Sequence, residues 1–236
     1  MKPLPMPLYH GTSTLFLNDI LKAGLGGINP IQAWKVLEFS EKLLPYVEEH
    51  IGSDNYLYAR VQSFGRMVNQ ESGPMNFQHG DTYVTASEGA AVRYAANKRY
   101  GSELLTYVMD FLNELVRKNL PGITRDLFGQ YPKIFSLLDI SPAPLIVELR
   151  GCGPDWLRTE SNDSAEGQIN DLLKHWATDK ELFNVLGQQM NFRLTRAVPI
   201  SNQKIWFLNI LRWNQFAPDY QKFLIDPKRS TRVTGA

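Results

Sequence analysis

The spacing of hydrophobic residues predicts short strands separated by blocks of helix in the first third of the chain. Residues 4–10 are apolar and predict a first strand. The hydroxyl residues at 12–14 could cap a helix over 15–23, and a glycine follows where that helix would end. A helical repeat of apolar residues covers 31–50, where a proline would introduce a kink, and residues 54–68 also predict a helix.

Later segments alternate between strand and helix in the same way. Tyr83 and Thr85 lie two positions apart in a short predicted strand at 81–86, so their side chains share one face of that strand. Ser87 follows and would cap a helix formed by EGAAVRYAANKRY. The remaining predicted elements are helices at 102–119, 124–139 and 168–187 and strands at 143–151, 190–200 and 204–211.

The order of these elements predicts an α+β fold in a single domain over residues 1–226. Helical insertions are expected at about 30–70 and 100–140, because those stretches contain helical spacing and no strand pattern. The terminal residues 227–236 are polar and are predicted to be a disordered tail. A chain of 236 residues is long enough for one large domain with insertions.

Composition and charge narrow the possible environments of the protein. A net charge of +1 gives no global attraction to nucleic acid, a membrane surface or an acidic partner. The single cysteine, Cys152, excludes an intrachain disulfide, and the sequence contains no metal-binding motif. The N-terminus lacks the apolar core of a signal peptide, and no apolar run is long enough for a membrane span. We expect a protein that acts in the cytoplasm, either of the cell that makes it or of a target cell into which it is delivered.

Two corners of the chain carry the candidate chemistry. LYHGT places His10 and Gly11 at the end of the first predicted strand, where the glycine backbone can face a flat amide and the imidazole can hydrogen-bond a ribose hydroxyl. Tyr83 and Tyr94 offer two aromatic faces. This combination suits a planar heteroaromatic ring such as nicotinamide. Each feature is weak when taken alone, because such histidines and strand tyrosines are commonly structural.

Taken together, these segments resemble the ADP-ribosyltransferase superfamily of the histidine–tyrosine–glutamate type, which includes the poly(ADP-ribose) polymerases and the diphtheria-type toxins. YHGT followed by LFLNDILKAGL is similar to the family's His-Gly-Ser/Thr strand end and the helix after it. DTYVTASEGAAVRYA is similar to its tyrosine strand and Ser-x-x-Ala-x-x-Tyr helix, and NFRLTRAVPISNQKIWFL to its closing strand and turn. The resemblance implies split mixed or antiparallel β-sheets around an NAD cleft.

The resemblance also implies an activity and a set of site residues. NAD would be the substrate, no metal would be needed, and ADP-ribose would pass to a protein or nucleic-acid acceptor with release of nicotinamide. His10 would bind the adenosine ribose, the Gly11 backbone would hold the carboxamide, and two tyrosines would enclose the nicotinamide ring. The residues implied to bind NAD are His10, Gly11, Thr12, Tyr83, Ser87 and Tyr94.

The chain departs from the family at its third residue, a glutamate at the start of the closing strand. No acid lies between Gly187 and Ile200. Asn191 is nearest by position, with Gln189 two residues earlier on the same predicted strand face. An amide can hydrogen-bond a ribose hydroxyl but supplies no negative charge. An acid from elsewhere could take this role, and the candidates are Glu148, Glu160 and Glu166.

Several functions stay open on the sequence alone. Mono-ADP-ribosyl transfer is favoured, and the alternative is a weak or inactive module that binds NAD or ADP-ribose and acts through protein interaction. Related uses of the same fold are cyclisation and tRNA phosphotransfer. The tRNA phosphotransferases also have a His-Gly-Thr segment, but they need a second histidine and arginines where Tyr83 stands. His79 is expected to be a turn residue or to contact the substrate, and Cys152 to be an unreactive thiol. The loops at 73–80 and 153–167 would border the acceptor.

Overall fold

The computed structural model describes residues 2–71, 77, 79–120, 123 and 126–226. The chain divides into two compact units, and each is built from separate segments of sequence. Among the described residues, the first unit comprises 2–28, 81–101 and 142–226, and the second comprises the remainder. The second unit therefore uses nearly the same stretches that the sequence marks as helical insertions.

The first unit contains a seven-stranded antiparallel sheet, which confirms the predicted α+β class. Its strands are β1 (Leu8–Ser13), β2 (Tyr83–Thr85), β3 (Pro144–Leu149), β4 (Leu157–Arg158), β5 (Asn191–Leu194), β6 (Gln203–Arg212) and β7 (Asp219–Leu224). They are arranged in the order β4-β5-β2-β1-β3-β6-β7, so the first strand of the chain is the central one.

The helices of the described residues alternate between the two units along the chain. They are α1 (Leu17–Ala23), α2 (Pro30–Ala33), α3 (Val36–His50), α4 (Tyr58–Val68), α5 (Glu88–Asn97), α6 (Glu103–Arg117), α7 (Pro132–Phe135), α8 (Glu166–Trp176) and α9 (Lys180–Gln189). The predicted helix over 31–50 is divided, because Lys35 adopts a left-handed conformation (φ 55°) between α2 and α3. Only part of the predicted helix at 124–139 lies within the described residues, where it includes α7; residues 124 and 125 lie outside them.

Helix α5 packs on one face of the sheet through small side chains. Ala91, Val92 and Ala95 are buried against Ile146 of β3 and Leu208 of β6. Small residues let the helix axis approach the strands closely, as the alanine-rich side of the predicted helix suggests. This contact fixes α5 above the centre of the sheet.

The second unit has its own apolar core. The strongly amphipathic α6 buries most of one face, and its Phe111 ring lies 5.0 Å from that of Phe64 in α4. At the beginning of α3, the Tyr131 hydroxyl donates to the Glu38 carboxylate at 2.7 Å. The Phe39 and Tyr131 rings meet edge to face at 5.1 Å. This unit therefore packs around its own aromatic contacts.

None of the helices among the described residues is both long and apolar enough to cross a membrane. The predicted tail at 227–236 lies outside the described residues.

Candidate active site

Strand β1 is fully paired along one edge. Each of its six residues has a partner on β3, from Leu8–Leu149 to Ser13–Pro144. The register extends one step further, where the Thr14 N–H donates to the Ala143 carbonyl at 2.8 Å. Because antiparallel neighbours alternate between hydrogen-bonded and non-bonded pairs, the even-numbered residues of β1 direct their backbone groups toward β3. The N–H and C=O groups of Gly11 consequently point to the other edge, where β2 lies.

The edge that faces β2 is paired at one point within the described residues 8–13 and 83–85, between Tyr9 and Thr85. On β2, the Leu194 N–H donates to the Thr82 carbonyl at 2.9 Å, so even-numbered residues face β5 and odd-numbered residues face β1. Continuing the Tyr9–Thr85 register by two residues places Gly11 opposite Tyr83. The backbone groups of Gly11 and Tyr83 therefore face each other beyond the last pair of the β1–β2 ladder.

His10 lies at this opening between the two strands. Its Nδ1 atom is 2.7 Å from the Tyr83 carbonyl oxygen. Burial lowers the pKa of the imidazole below its usual value, an effect that outweighs the hydrogen bond to Tyr83. The ring is therefore neutral near pH 7, its Nδ1–H donates to the carbonyl, and its Nε2 is the acceptor. In this tautomer Nε2 can accept a hydrogen bond from a ribose hydroxyl.

Gly11 is also the point at which α5 meets β1. A methyl group added at Gly11 would overlap the Ala91 carbonyl oxygen and come within 3.1 Å of the Ala95 nitrogen, both of which belong to the helix backbone. The glycine therefore serves helix packing as well as the predicted amide contact. This second role is not evident from the sequence, because it depends on where α5 packs.

Tyr94 extends from the flank of α5 that lies toward β2. Glu88 lies on the opposite flank. Its carboxylate accepts from Tyr220 at 3.1 Å and from Lys222 at 2.7 Å, and both of these donors belong to β7. Helical spacing places Tyr94 on the other side of Ala91 from Glu88. The ring of Tyr94 is 38% exposed and Tyr83 is half-buried, so both tyrosines are partly accessible.

Two other predicted NAD-binding residues have structural roles. Ser87 is buried and caps α5 as predicted, since its Oγ accepts from the Ala90 N–H at 3.2 Å. Thr12 is fully buried, its hydroxyl donates to the Gly101 carbonyl at 3.4 Å, and its backbone faces β3. The Thr12 side chain therefore does not reach the opening beside Gly11.

The third-motif position is occupied by Asn191 at the start of β5. It lies opposite Thr85 of β2, and its side chain is exposed. Its Nδ2 group donates to Oε1 of Glu160 at 2.8 Å. The structure thus brings together the amide at this position and one of the three candidate acids.

Gln189 does not share a strand face with Asn191, so this part of the prediction was wrong. Gln189 is the last residue of α9, and Met190 is the extended residue that joins the helix to β5. The segment GQQMN contains no local signal for the change from helix to strand, because glutamine can occupy the end of a helix or an extended segment.

The other two candidate acids lie elsewhere. Glu148 is on β3, beyond β1 from the tyrosine strand, and it is 5% exposed. Its carboxylate accepts from Arg150 Nε at 2.6 Å and from Trp206 Nε1 at 3.3 Å, contacts that indicate a structural role. Glu166 is exposed in the first turn of α8, where a negative charge favours the helix dipole.

His79 belongs to the second unit rather than to the one that holds His10 and Tyr83. Its backbone N–H donates to Gln70 Oε1 at 2.9 Å, in agreement with a turn residue. Most of the preceding predicted acceptor loop, residues 73–76 and 78, lies outside the described residues.

One charged residue beside the site was missed in the prediction from sequence. Arg193 lies opposite Tyr83 on β5, and it donates to Asp81 at 3.2 Å and to the side chain of Asn162. Alternation along the predicted strand was the available signal, because Asn191 and Arg193 are two residues apart and share a face. The side-chain partners of Asn191 and Arg193 lie far from them in sequence, so local patterns do not reveal these contacts.

Cys152 is 2% exposed, and burial raises the pKa of its thiol to about 11. A buried, protonated thiol is a poor nucleophile, which agrees with the unreactive thiol expected from the sequence. Among the described residues, no group of three histidine, cysteine or acidic side chains is arranged to hold a metal ion.

Comparison with known proteins identifies no relative. No protein-family model matches the chain, and neither a curated protein nor a solved structure is significantly similar to it.

Proposed function

We propose that this chain is an NAD-dependent mono-ADP-ribosyltransferase that transfers ADP-ribose to a protein or nucleic-acid acceptor and releases nicotinamide. The observation that carries the proposal is the single Tyr9–Thr85 pair of the β1–β2 ladder, whose register, continued by two residues, places Gly11 opposite Tyr83. A peptide N–H and C=O at such an opening match the carbonyl and amine of a carboxamide. We also propose that NAD binds in a cleft where β1 and β2 separate beyond that pair, as in the fold of the ADP-ribosyltransferases.

The aromatic residues favour a flat, partly apolar ligand at the same opening. Tyr83 lies directly across from Gly11, and Tyr94 extends from the helix that packs on Gly11. Two tyrosines on neighbouring elements can enclose a nicotinamide ring, an arrangement in which each aromatic contact contributes about 0.5–1.5 kcal/mol beyond the area it buries. His10 Nε2 would accept a hydrogen bond from the adenosine ribose.

The proposed reaction breaks the bond between the ribose anomeric carbon and the nicotinamide nitrogen. The electron pair of that bond moves to nicotinamide, which leaves as a neutral molecule, and positive charge develops on the ribose. A lone pair of the acceptor then forms a bond to the anomeric carbon, and the acceptor's proton is lost to solvent. The protein chiefly has to hold the leaving group and stabilise the developing charge.

The direct test is release of nicotinamide from NAD labelled in the nicotinamide ring. We expect release by the parent protein and a loss of at least about 100-fold in His10→Ala and in Tyr83→Ala, since each removes a positioning contact. His175→Ala, in the last turn of α8, and Tyr56→Ala, at a ring that is 76% exposed, are matched controls and should retain activity.

NAD binding and nicotinamide release, both measured on the parent protein, separate the enzyme from a binding module. The observation that favours binding alone is the uncharged amide of Asn191 at the third-motif position. NAD that binds the parent in calorimetry, with no nicotinamide released and no acceptor labelled in lysate, would support the module and end the enzyme proposal. Labelling of lysate before and after nuclease treatment would distinguish a nucleic-acid acceptor from a protein.

A further inference from the structure

We infer that Glu160, held by Asn191, supplies the carboxylate that stabilises the ribose cation in the proposed transfer. This inference rests on the proposed function and adds a catalytic residue to it. The proposed transfer requires a negative charge near the ribose, because an amide at the start of β5 offers a hydrogen bond but no negative charge to a developing cation. A carboxylate close to that position would meet this need.

Glu160 is located at the tip of a closed turn rather than on a free loop. The turn spans 159–163, where the Thr159 N–H donates to the Asp163 carbonyl and the Asn162 N–H donates to the Thr159 carbonyl, each at 3.0 Å. Asn162 takes the left-handed conformation (φ 68°) that such a tight turn requires. A bridge between Arg158 and Ser164 closes its base.

Strand β5 holds this turn through two side chains. Asn191 donates to Glu160 at 2.8 Å, and Arg193 donates to the side chain of Asn162. These two strand residues share a face, and their partners across the ladder are Thr85 and Tyr83, respectively. The turn is therefore held on the sheet face to which the Tyr83 side chain belongs.

The contact leaves the carboxylate able to act on a ligand. Asn191 occupies Oε1, and Oε2 can accept a hydrogen bond from a ribose hydroxyl, so one carboxylate both orients the sugar and faces its positive charge. Glu160 forms no covalent bond in this step, in which the electron pair of the glycosidic bond leaves with nicotinamide and the acceptor's proton goes to solvent. Asn191 is a positioning residue in this scheme, and Glu160 is the catalytic residue.

The decisive experiment compares Glu160→Gln with Glu166→Gln in nicotinamide release from labelled NAD, with water as the acceptor. We expect Glu160→Gln to lower kcat about 100-fold with a smaller change in KM, the size of loss seen when one charge-stabilising group is removed. Glu166→Gln removes a nearby exposed carboxylate and should leave kcat unchanged. Equal thermal stability of the two variants would exclude misfolding as the cause.

Moving the carboxylate provides a readout that a structural role would not give. The double variant Asn191→Glu with Glu160→Gln carries an acid on β5 itself, and we expect it to recover kcat to within about tenfold of the parent. If Glu160→Gln is as active as Glu166→Gln, the inference is overturned while the proposed function stays intact. A parent protein that releases no nicotinamide would instead overturn the proposed function, and the role of Glu160 with it.

Discussion

The two edges of β1 differ in how completely they are paired. Along β3 every residue of the strand has a partner, whereas along β2 the ladder holds one pair, Tyr9–Thr85. The closed edge satisfies its backbone groups within the sheet, as the interior of a folded domain requires. The open edge leaves the backbone of Gly11 facing Tyr83, and the side chain of His10 bonds across to β2 there. The difference separates a purely structural edge from one suited to a ligand.

Two glutamates follow the same division. Glu148 lies on β3 and is buried between Arg150 and Trp206, while Glu160 is exposed and held by one amide beside the tyrosine strand. A buried acid with satisfied oxygens stabilises the fold, and an accessible acid with an oxygen to spare can act on a ligand. Substitution of Glu148 should therefore change stability, and substitution of Glu160 should change nicotinamide release.

The largest effect is expected at Gly11, where both roles of β1 coincide. Gly11→Ala would press a methyl group into the α5 backbone, which cannot move aside as a flexible side chain could. We expect a loss of about 3 kcal/mol in the free energy of unfolding and loss of NAD binding. Urea denaturation and calorimetry would measure these two quantities.

The control for this substitution is Gly167→Ala in α8. A methyl group added there meets nothing within 4 Å, so the helix should gain about 0.5–1 kcal/mol from the alanine. Equal stability of Gly11→Ala and Gly167→Ala would show that α5 does not constrain β1 at this point.

A smaller effect is expected at the closed edge. Glu148→Gln weakens the bonds from Arg150 and Trp206, and we expect it to reduce the free energy of unfolding by about 1–2 kcal/mol. Nicotinamide release by the folded protein should be unchanged, in contrast to Glu160→Gln. A large fall in kcat with unaltered stability would instead identify Glu148 as the acid that acts on NAD.

The smallest effect concerns the protonation of His10. Its folded pKa is lowered by burial, so between the unfolded value of about 6.5 and the folded value the unfolded chain binds more protons. Stability should therefore be unaffected by His10 above pH 6.5, decrease as the pH falls below 6.5, and level off once the folded imidazole also protonates.

Denaturation of the parent and of His10→Gln across this pH range would isolate the contribution of His10. The pH slope that disappears in the variant belongs to this imidazole, because the two proteins differ at no other residue. A parent and a variant with identical slopes would contradict the burial of the ring at the opening.

Much of the fold could be predicted from local sequence, and most of the site geometry could not. Strand β3 was evident because β-branched residues lie between a proline and a glycine, and α5 because Ser87 precedes an alanine-rich repeat. Strand β1 was expected at 4–10 and is found at 8–13, since polar HGTS is drawn into the sheet by pairing with β3 rather than by its own propensity.

The contacts that define the site join residues far apart in sequence. The opening between β1 and β2 depends on a register that local patterns do not encode. The hydrogen bond between Asn191 and Glu160 joins strand β5 to the separate turn at 159–163. Strand β4 has two residues and so shows no periodicity at all. Residue chemistry identifies three candidate acids, and among them the tertiary contact with Asn191 favours Glu160.

The central position of the first strand has a consequence for how the protein is made. Strand β1 is the earliest to leave the ribosome, yet its partners Thr85 and Glu148 are synthesised much later. Such a topology has a high contact order, because strands that pair lie far apart in sequence. Chains of this kind fold slowly, since long loops must close before the strands can pair. A nascent chain that ends before β3 holds its N-terminal strand without the neighbour that fixes its register, and we expect it to depend on chaperones until that neighbour emerges.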